Sequence, residues 1–265
     1  MRNYKMIATD LDGTLLDDNK QISIENQEAV RYAVEKGIKI IPCTGRAVQG
    51  VTKFPFLTAL KTLAVTHNGG MIINLADNQI LYNCTLQNND AEFIISKGFS
   101  FHTNMCIWID NRLYCNEINE YTSKYSGINS VEPLVFHSYR ELPDREVTKI
   151  LWYDTEEHIS DYAEHMEKTV SANVTCCTST PHFLEFFSSK TSKAIALAHI
   201  GNLYGIKKEN IIALGDEKND IDMLKFAGKG IAMANARSEV KKAADFITES
   251  NNENGFAKAI YQFIE

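Results

Sequence analysis

No pair of cysteines in this chain stands at C-x-x-C spacing, and none of the six falls into a zinc-ligand pattern. Cys43, Cys84, Cys106, Cys115, Cys176 and Cys177 therefore read as reduced packing residues of an intracellular protein. A catalytic thiol at Cys43 would need a partner histidine, and no motif places one. Also missing is an uninterrupted apolar stretch long enough to span a bilayer. Arg2, Lys5 and Asp10 crowd the first residues, which argues against a secretory leader, so a cytoplasmic location is expected. Positive charge is not in excess: 27 Lys and Arg stand against 34 Asp and Glu, a net charge of −7. That balance argues against nucleic acid or an anionic membrane as the main partner, and no protein partner is evident. The phosphate-loop pattern G-x-x-x-x-G-K-[ST] is absent, which removes support for a nucleotide-driven motor or kinase of that type. No repeat or low-complexity tract interrupts the chain.

What the chain does contain is Asp10-Leu11-Asp12-Gly13-Thr14-Leu15, two carboxylates two positions apart where the apolar run Met6-Ile7-Ala8 ends. Two carboxylates this close repel, so they share a proton, raise a pKa, or hold a cation between them. A hard, oxygen-seeking ion such as Mg²⁺ is the simplest solution. Other strand-like runs end the same way. Ile38-Lys39-Ile40-Ile41 runs into Thr44-Gly45-Arg46, Leu63-Ala64-Val65-Thr66 into His67-Asn68-Gly69-Gly70, and Ile211-Ile212-Ala213-Leu214 into Gly215-Asp216-Glu217-Lys218-Asn219-Asp220. Gly230-Ile231-Ala232-Met233 then ends in Ala234-Asn235-Ala236. Strands alternating with helices and ending in polar groups on one edge describe an α/β, doubly wound parallel sheet. Such sheets present their chemistry at the carboxyl ends of the strands.

These motifs, taken in order, resemble those of haloacid-dehalogenase-superfamily phosphatases, in the Cof-type (subclass IIB) sugar-phosphatase-like branch with a large inserted cap. Asp10-Leu11-Asp12-Gly13-Thr14 matches the first family motif and Thr44-Gly45-Arg46 the second. Lys193 within Ser192-Lys193-Ala194 matches the third, and Gly215-Asp216-Glu217-Lys218-Asn219-Asp220 the fourth. The resemblance covers about the first 80 and last 80 residues, by motif spacing. It implies a Mg²⁺-dependent phosphatase acting on a small phosphorylated metabolite, with sugar phosphates preferred. Asp10 is then the nucleophile that forms an aspartyl-phosphate, and Asp12 the general acid and base. The metal is expected on the Asp10 carboxylate, the Asp12 main-chain oxygen and Asp216, with Asp220 ordering its waters. Leu11, Thr44, Gly45, Lys193 and Asn219 are expected to cradle phosphate. Lys190 competes with Lys193 for the third-motif role, but Lys193 is better placed before the apolar run Ile195-Ala196-Leu197-Ala198. Arg46 either binds substrate or makes an ion pair. His67, where a small residue is expected, is either a packing choice or a substrate contact. A phosphotransferase or phosphomutase passing on the same aspartyl-phosphate remains an alternative, as does a receiver-like signalling phosphoacceptor.

At 265 residues and 44% hydrophobic content the chain can bury a large core and hold two domains. The expected division is a catalytic core over 1–83 and 187–265, and an inserted α+β cap over 84–186 that sets substrate specificity. Within the cap, Met105–Ile109 and Leu113–Cys115 read as a hairpin about a polar turn, and Val147–Tyr153 as a strand feeding a helix that starts near Glu156. Val174–Thr178 and His182–Phe187 read as further strands. Trp108, Tyr114, Trp152 and Tyr153 read as strand aromatics of the core, with stacking on a sugar ring as the alternative. The cap histidines show no metal-ligand spacing.

Overall fold

A computed structural model describes residues 3–143 and 146–264 of the chain. It divides into two compact units, Met1–Gly45 with Phe54–Leu81 and Ser192–Glu265, and Arg46–Lys53 with Tyr82–Thr191. In chain order the first unit opens with β1 (Met6–Thr9), α1 (Ile24–Glu35) and β2 (Lys39–Pro42). The short helix α2 (Val48–Thr52) belongs to the second unit, and the chain returns for α3 (Pro55–Ala59), β3 (Leu63–Thr66) and β4 (Met71–Asn74). After β5 (Ile80–Asn83) the second unit supplies α4 (Asn88–Ser100), β6 (Asn104–Ile109), β7 (Arg112–Cys115), α5 (Glu120–Asn129) and β8 (Leu134–Val135). It continues through β9 (Val147–Tyr153), α6 (Glu156–Glu167), β10 (Val174–Thr180) and β11 (Phe183–Ser188). The first unit closes with α7 (Lys193–Tyr204), β12 (Ile211–Gly215), α8 (Ile221–Phe226), β13 (Lys229–Ala232), α9 (Ser238–Ala243), β14 (Phe246–Ile247) and α10 (Gly255–Phe263).

The sheet of the first unit runs β14-β13-β12-β1-β2, and every neighbouring pair is parallel. Its two central strands, β1 and β12, are buried at every position, as a sheet covered on both faces requires. A parallel bridge between Cys43 and Val65 carries the layer on to β3, which heads the separate three-stranded sheet β3-β4-β5. Helix α1 starts because the Ser23 hydroxyl accepts from the Asn26 amide, a cap worth about 1 kcal/mol. Its buried face is Asn26, Ala29, Val30 and Ala33, the spacing of one helical stripe. Asn26 is buried without penalty because both ends of its carboxamide are used: Nδ2 donates to the Leu15 carbonyl and Oδ1 accepts from the Ala257 amide. That residue ties the loop after β1 to α10, and so steadies the loop that carries Asp12.

The sheet of the second unit runs β10-β11-β9-β6-β7-β8, antiparallel except for the β7·β8 edge. The β6–β7 hairpin turns through Asp110 and Asn111, both left-handed (φ 48° and 61°), so Arg112 belongs to the strand rather than to the turn. One face of this sheet packs Ile107, Ile150, Trp152, Leu184 and Phe186 with Ile94 and Ile95 of α4 and Ile159 of α6. The other packs Cys106, Trp108, Leu113, Leu151 and Tyr153 with Tyr125 of α5. Trp108, Tyr114, Trp152 and Tyr153 are all buried in these layers, so they are core residues. The unit runs to Thr191, with β11 paired to β10 through Ser188. It also takes in Arg46–Lys53, where Gln49 Nε2 donates to the Asn111 carbonyl and Lys53 Nζ to that of Ile128. No helix among the described residues is long and apolar enough to cross a membrane.

Candidate active site

Strands β1 and β12 lie side by side with Thr9 opposite Leu214, so Asp10, just after β1, and Asp216, just after Gly215 at the end of β12, emerge together at the carboxyl edge. The turn that follows β1 is closed by its own amides: Thr14 and Leu16 donate to the Leu11 carbonyl, and Leu15 to that of Asp10. Gly13 is left-handed (φ 77°), and a Cβ there would overlap the Asp216 carboxylate. Gly215 is equally constrained, since a side chain would run into Asp220. Both glycines are thus required by the close approach of carboxylates to backbone.

Asp10, Asp216 and Asp220 are buried and each offers an oxygen within 4.8 Å of the others. Between two of them sits Lys193, the first residue of α7 and fully buried, with Nζ 2.6 Å from Asp10 Oδ1 and 2.6 Å from Asp220 Oδ1. The helix begins there because the Ser192 hydroxyl accepts from the Ile195 amide. Asp220 Oδ2 accepts the amides of Asp216 and Glu217, each at 3.0 Å, so both its oxygens are engaged by protein groups. Asp216 Oδ1 accepts from the Thr14 hydroxyl at 2.8 Å.

Burial, and then Asp220 beside it, pushes Asp216 up to about 7, against the Thr14 hydrogen bond. Burial also raises Asp10 well above the carboxylate range, although Lys193 opposes it. Burial by itself would lower Lys193, but Asp10 and Asp220 outweigh it and keep the ammonium charged. The thiol of Cys43, next to this cluster in sequence, is driven up by burial and stays protonated.

A resident cation is testable against these residues. Lys193 bridges Asp10 and Asp220 with Asp216 beside them, and burial disfavours the ionised forms of Asp10 and Asp216. An all-oxygen donor set of this kind suits a hard divalent ion and would ionise fully around one. The residues present therefore fit Mg²⁺.

The other expected site residues are placed as follows. Asp12 does not join the carboxylate cluster; its Oδ1 pairs with Lys20 at 2.9 Å, and its side chain is 38% exposed. Thr44 is buried, its amide donating to the Val65 carbonyl and its carbonyl accepting from Asn68. Asn219 lies in the turn before α8 and donates from Nδ2 to Asn68 Oδ1 at 2.8 Å. Among the described residues, neither the Leu11 nor the Gly45 amide contributes a bond that closes its own turn. Arg46 lies in the second unit, where Nη1 donates to the Gly50 carbonyl at 3.3 Å. His67 is buried at 2% exposure. Sequence reasoning gave no role to Lys20, Thr14, Asn68 or Asn235. Asn235 donates to the Gly13 carbonyl and accepts from Asn251, holding the first-motif loop from the far side of the sheet edge. The only signal for Asn68 and Asn235 was that each follows a buried strand, where Asn satisfies loop backbone.

The family model for haloacid dehalogenase-like hydrolases matches residues 7–260. YxeH of Bacillus subtilis (strain 168) is 34% identical, covering 98% of each chain. The 5-amino-6-(5-phospho-D-ribitylamino)uracil phosphatase YcsE of the same organism is 31% identical over 99% of this chain and 96% of its own. A solved haloacid dehalogenase-like hydrolase from Bacteroides thetaiotaomicron superposes with a TM-score of 0.90 at 29% identity, covering 98% of this chain and 100% of that one. With the motif carboxylates gathered at one sheet edge and the match running nearly end to end, the chain belongs to the haloacid dehalogenase-like hydrolases and is a phosphatase of that family.

Proposed function

We propose that the protein is a Mg²⁺-dependent phosphomonoester hydrolase that works through an aspartyl-phosphate on Asp10, with small phosphorylated sugars and sugar alcohols as the preferred substrate class. The observation that carries this reading is the Lys193 ammonium seated 2.6 Å from Asp10 Oδ1 beside the Asp216 carboxylate. It supplies a fixed positive charge where an anionic phosphoryl group must meet an anionic nucleophile. The ribityl phosphate named for YcsE supports the sugar-like class.

Mg²⁺ held by the Asp10 carboxylate, the Asp12 main-chain oxygen and Asp216 would neutralise charge on the phosphoryl group. In the first step an Asp10 oxygen forms a bond to phosphorus while the bond to the alcohol oxygen breaks. Asp12, protonated, gives its proton to that leaving oxygen. In the second step Asp12, now ionised, takes a proton from water as the water oxygen attacks phosphorus, and the Asp10–phosphorus linkage opens to release inorganic phosphate. Lys193 holds the Asp10 carboxylate in place through both steps, and Thr44, Asn219 and the amides of Leu11 and Gly45 donate to the phosphoryl oxygens. Asp220 orients Lys193 and would order the waters of a bound metal. The second unit is assigned as the cap that sets substrate choice.

Phosphate release from a panel of sugar phosphates, ribityl phosphates, nucleotides and an aryl phosphate, in Mg²⁺ and in EDTA, tests the proposal. Release that requires metal and is lost in Asp10→Asn supports it. Metal-independent release, or turnover in Asp10→Asn near that of the wild type, refutes it. Products in which phosphate has moved to a second sugar would replace hydrolysis by transfer.

A further inference from the structure

The segment His67-Asn68-Gly69 adopts three consecutive left-handed conformations, φ 50°, 58° and 104°. Such backbone is disfavoured for residues with a Cβ and persists only where the surroundings hold it. The surroundings here are the groups assigned above to phosphate. The Asn68 amide donates to the Thr44 carbonyl at 3.0 Å, and the Gly70 amide returns to the His67 carbonyl to close the turn. The Asn68 carboxamide lies against Gly45, where an added Cβ would stand 2.8 Å from Oδ1. The same Oδ1 accepts from Asn219 Nδ2 at 2.8 Å. Gly69 abuts the start of α7, where a side chain would overlap the Ser192 carbonyl just before Lys193.

We propose that Asn68 is a positioning residue of the phosphate site: through Oδ1 it fixes the carboxamide of Asn219, and through its amide the Thr44 loop, so that both donors stand ready for the anion. The proposal rests on the phosphate-binding roles given to Asn219 and Thr44 under the proposed function. An Asn carboxamide left to itself rotates freely about χ2 and presents either nitrogen or oxygen. The hydrogen bond from Asn219 Nδ2 to Asn68 Oδ1 fixes which end of the Asn219 carboxamide is nitrogen and leaves its second N–H as a donor. Asn is suited to the position for two reasons. It tolerates the left-handed region better than most residues, and it carries an acceptor at the right reach.

The test is a double-mutant cycle read by binding of inorganic phosphate in the presence of Mg²⁺, measured by titration calorimetry. Asn68→Gly keeps the left-handed turn, because glycine enters that region without strain, and deletes only the carboxamide. Asn219→Ala deletes the donor it serves. Phosphate affinity is expected to fall about 3- to 10-fold in Asn68→Gly, the worth of one neutral hydrogen bond that orders a donor. In the Asn219→Ala background the same change is expected to cost less than about 2-fold, since the group being positioned is gone. Equal losses in both backgrounds, or no loss in Asn68→Gly while the wild type binds phosphate, overturn the assignment of Asn68 alone. Failure of the wild-type protein to bind phosphate overturns the phosphatase site assignment and this positioning role with it.

Discussion

The Lys193 ammonium and the Asp10 carboxylate, 183 positions apart in sequence, meet at 2.6 Å with the lysine fully buried. Removing one partner of such a pair leaves the other charge buried without compensation, at a cost of about 3–5 kcal/mol. Lys193→Met is therefore expected to lower the urea midpoint of the metal-free protein and to reduce turnover by about 10²-fold or more, as loss of a fixed charge at a reacting anion does. Added Mg²⁺ should restore part of the stability, by replacing the missing positive charge, but not the turnover. Equilibrium unfolding with and without metal, beside steady-state rates, checks both halves.

The metal-free protein should lose stability as pH rises from the ordinary carboxylate range toward neutrality. Asp216 ionises at about 7 in the folded chain, against an ordinary value of 3.8. Between those values the folded state holds a proton that the unfolded state has released, so stability falls with rising pH through that window and the favourable contribution is gone above it. Asp10 shifts in the same direction. Mg²⁺ requires the ionised forms and competes with these protons, so its stabilising effect grows with pH. The shift in melting temperature on adding Mg²⁺ should be larger at about pH 8 than at about pH 5.5. In Asp216→Asn the metal-free pH slope should flatten, and the Mg²⁺ shift should shrink.

Asp12 stands apart from the buried cluster, half open and paired with Lys20 at 2.9 Å, both side chains exposed enough for solvent to screen them. An exposed pair of this kind contributes about 0–1 kcal/mol to folding. A general acid and base contributes about 10²- to 10⁴-fold to rate. Asp12→Asn is thus expected to retain its melting temperature while losing two to four decades of turnover on that scale. A large fall in stability with turnover intact would make Asp12 a structural residue. Comparison of an aryl phosphate with an alkyl phosphate sharpens the test, because a good leaving group needs the acid less and should suffer less.

What the sequence made legible follows from strand ends. Asp10, Thr44 and Asp216 each follow a short buried run, and a parallel sheet forces such residues to one edge whatever the helices between them do. The hairpin over β6 and β7 was legible from alternation, because Cys106, Trp108, Leu113 and Cys115 pack on one face and Ile107 and Tyr114 on the other. Helix α5 was not, since its buried positions are Thr122, Tyr125 and Asn129, a polar stripe without apolar periodicity. Arg46 follows Thr44-Gly45 in sequence, yet it packs with the second unit, where Gln49 and Lys53 are hydrogen-bonded; adjacency in the chain carries no information about that. Asn68 was visible only as a polar residue following a buried strand. Its bond to Asn219 spans 151 positions, a pairing that no local propensity specifies.

The second unit buries an ion pair. Lys149 Nζ lies 3.0 Å from Glu185 Oε1, with side chains only 4% and 7% exposed. Glu185 stands opposite Leu151 in the ladder, so Lys149, two residues away, is its diagonal cross-strand neighbour on the same face. Burial opposes the charge on Lys149, but Glu185 outweighs it and raises the pKa, so the ammonium stays charged. Glu185 Oε2 is buried without a partner, which makes the pair incompletely satisfied. Lys149→Met should then destabilise the unit by about 3–5 kcal/mol by stranding the carboxylate, whereas adding Glu185→Leu should recover most of the loss or exceed the wild type. Both tryptophans of the chain, Trp108 and Trp152, lie in this unit, so intrinsic fluorescence during urea unfolding reads its stability separately from the catalytic sheet. Additive losses in the double variant would mean that each side chain is held by other contacts and that the pair itself contributes nothing.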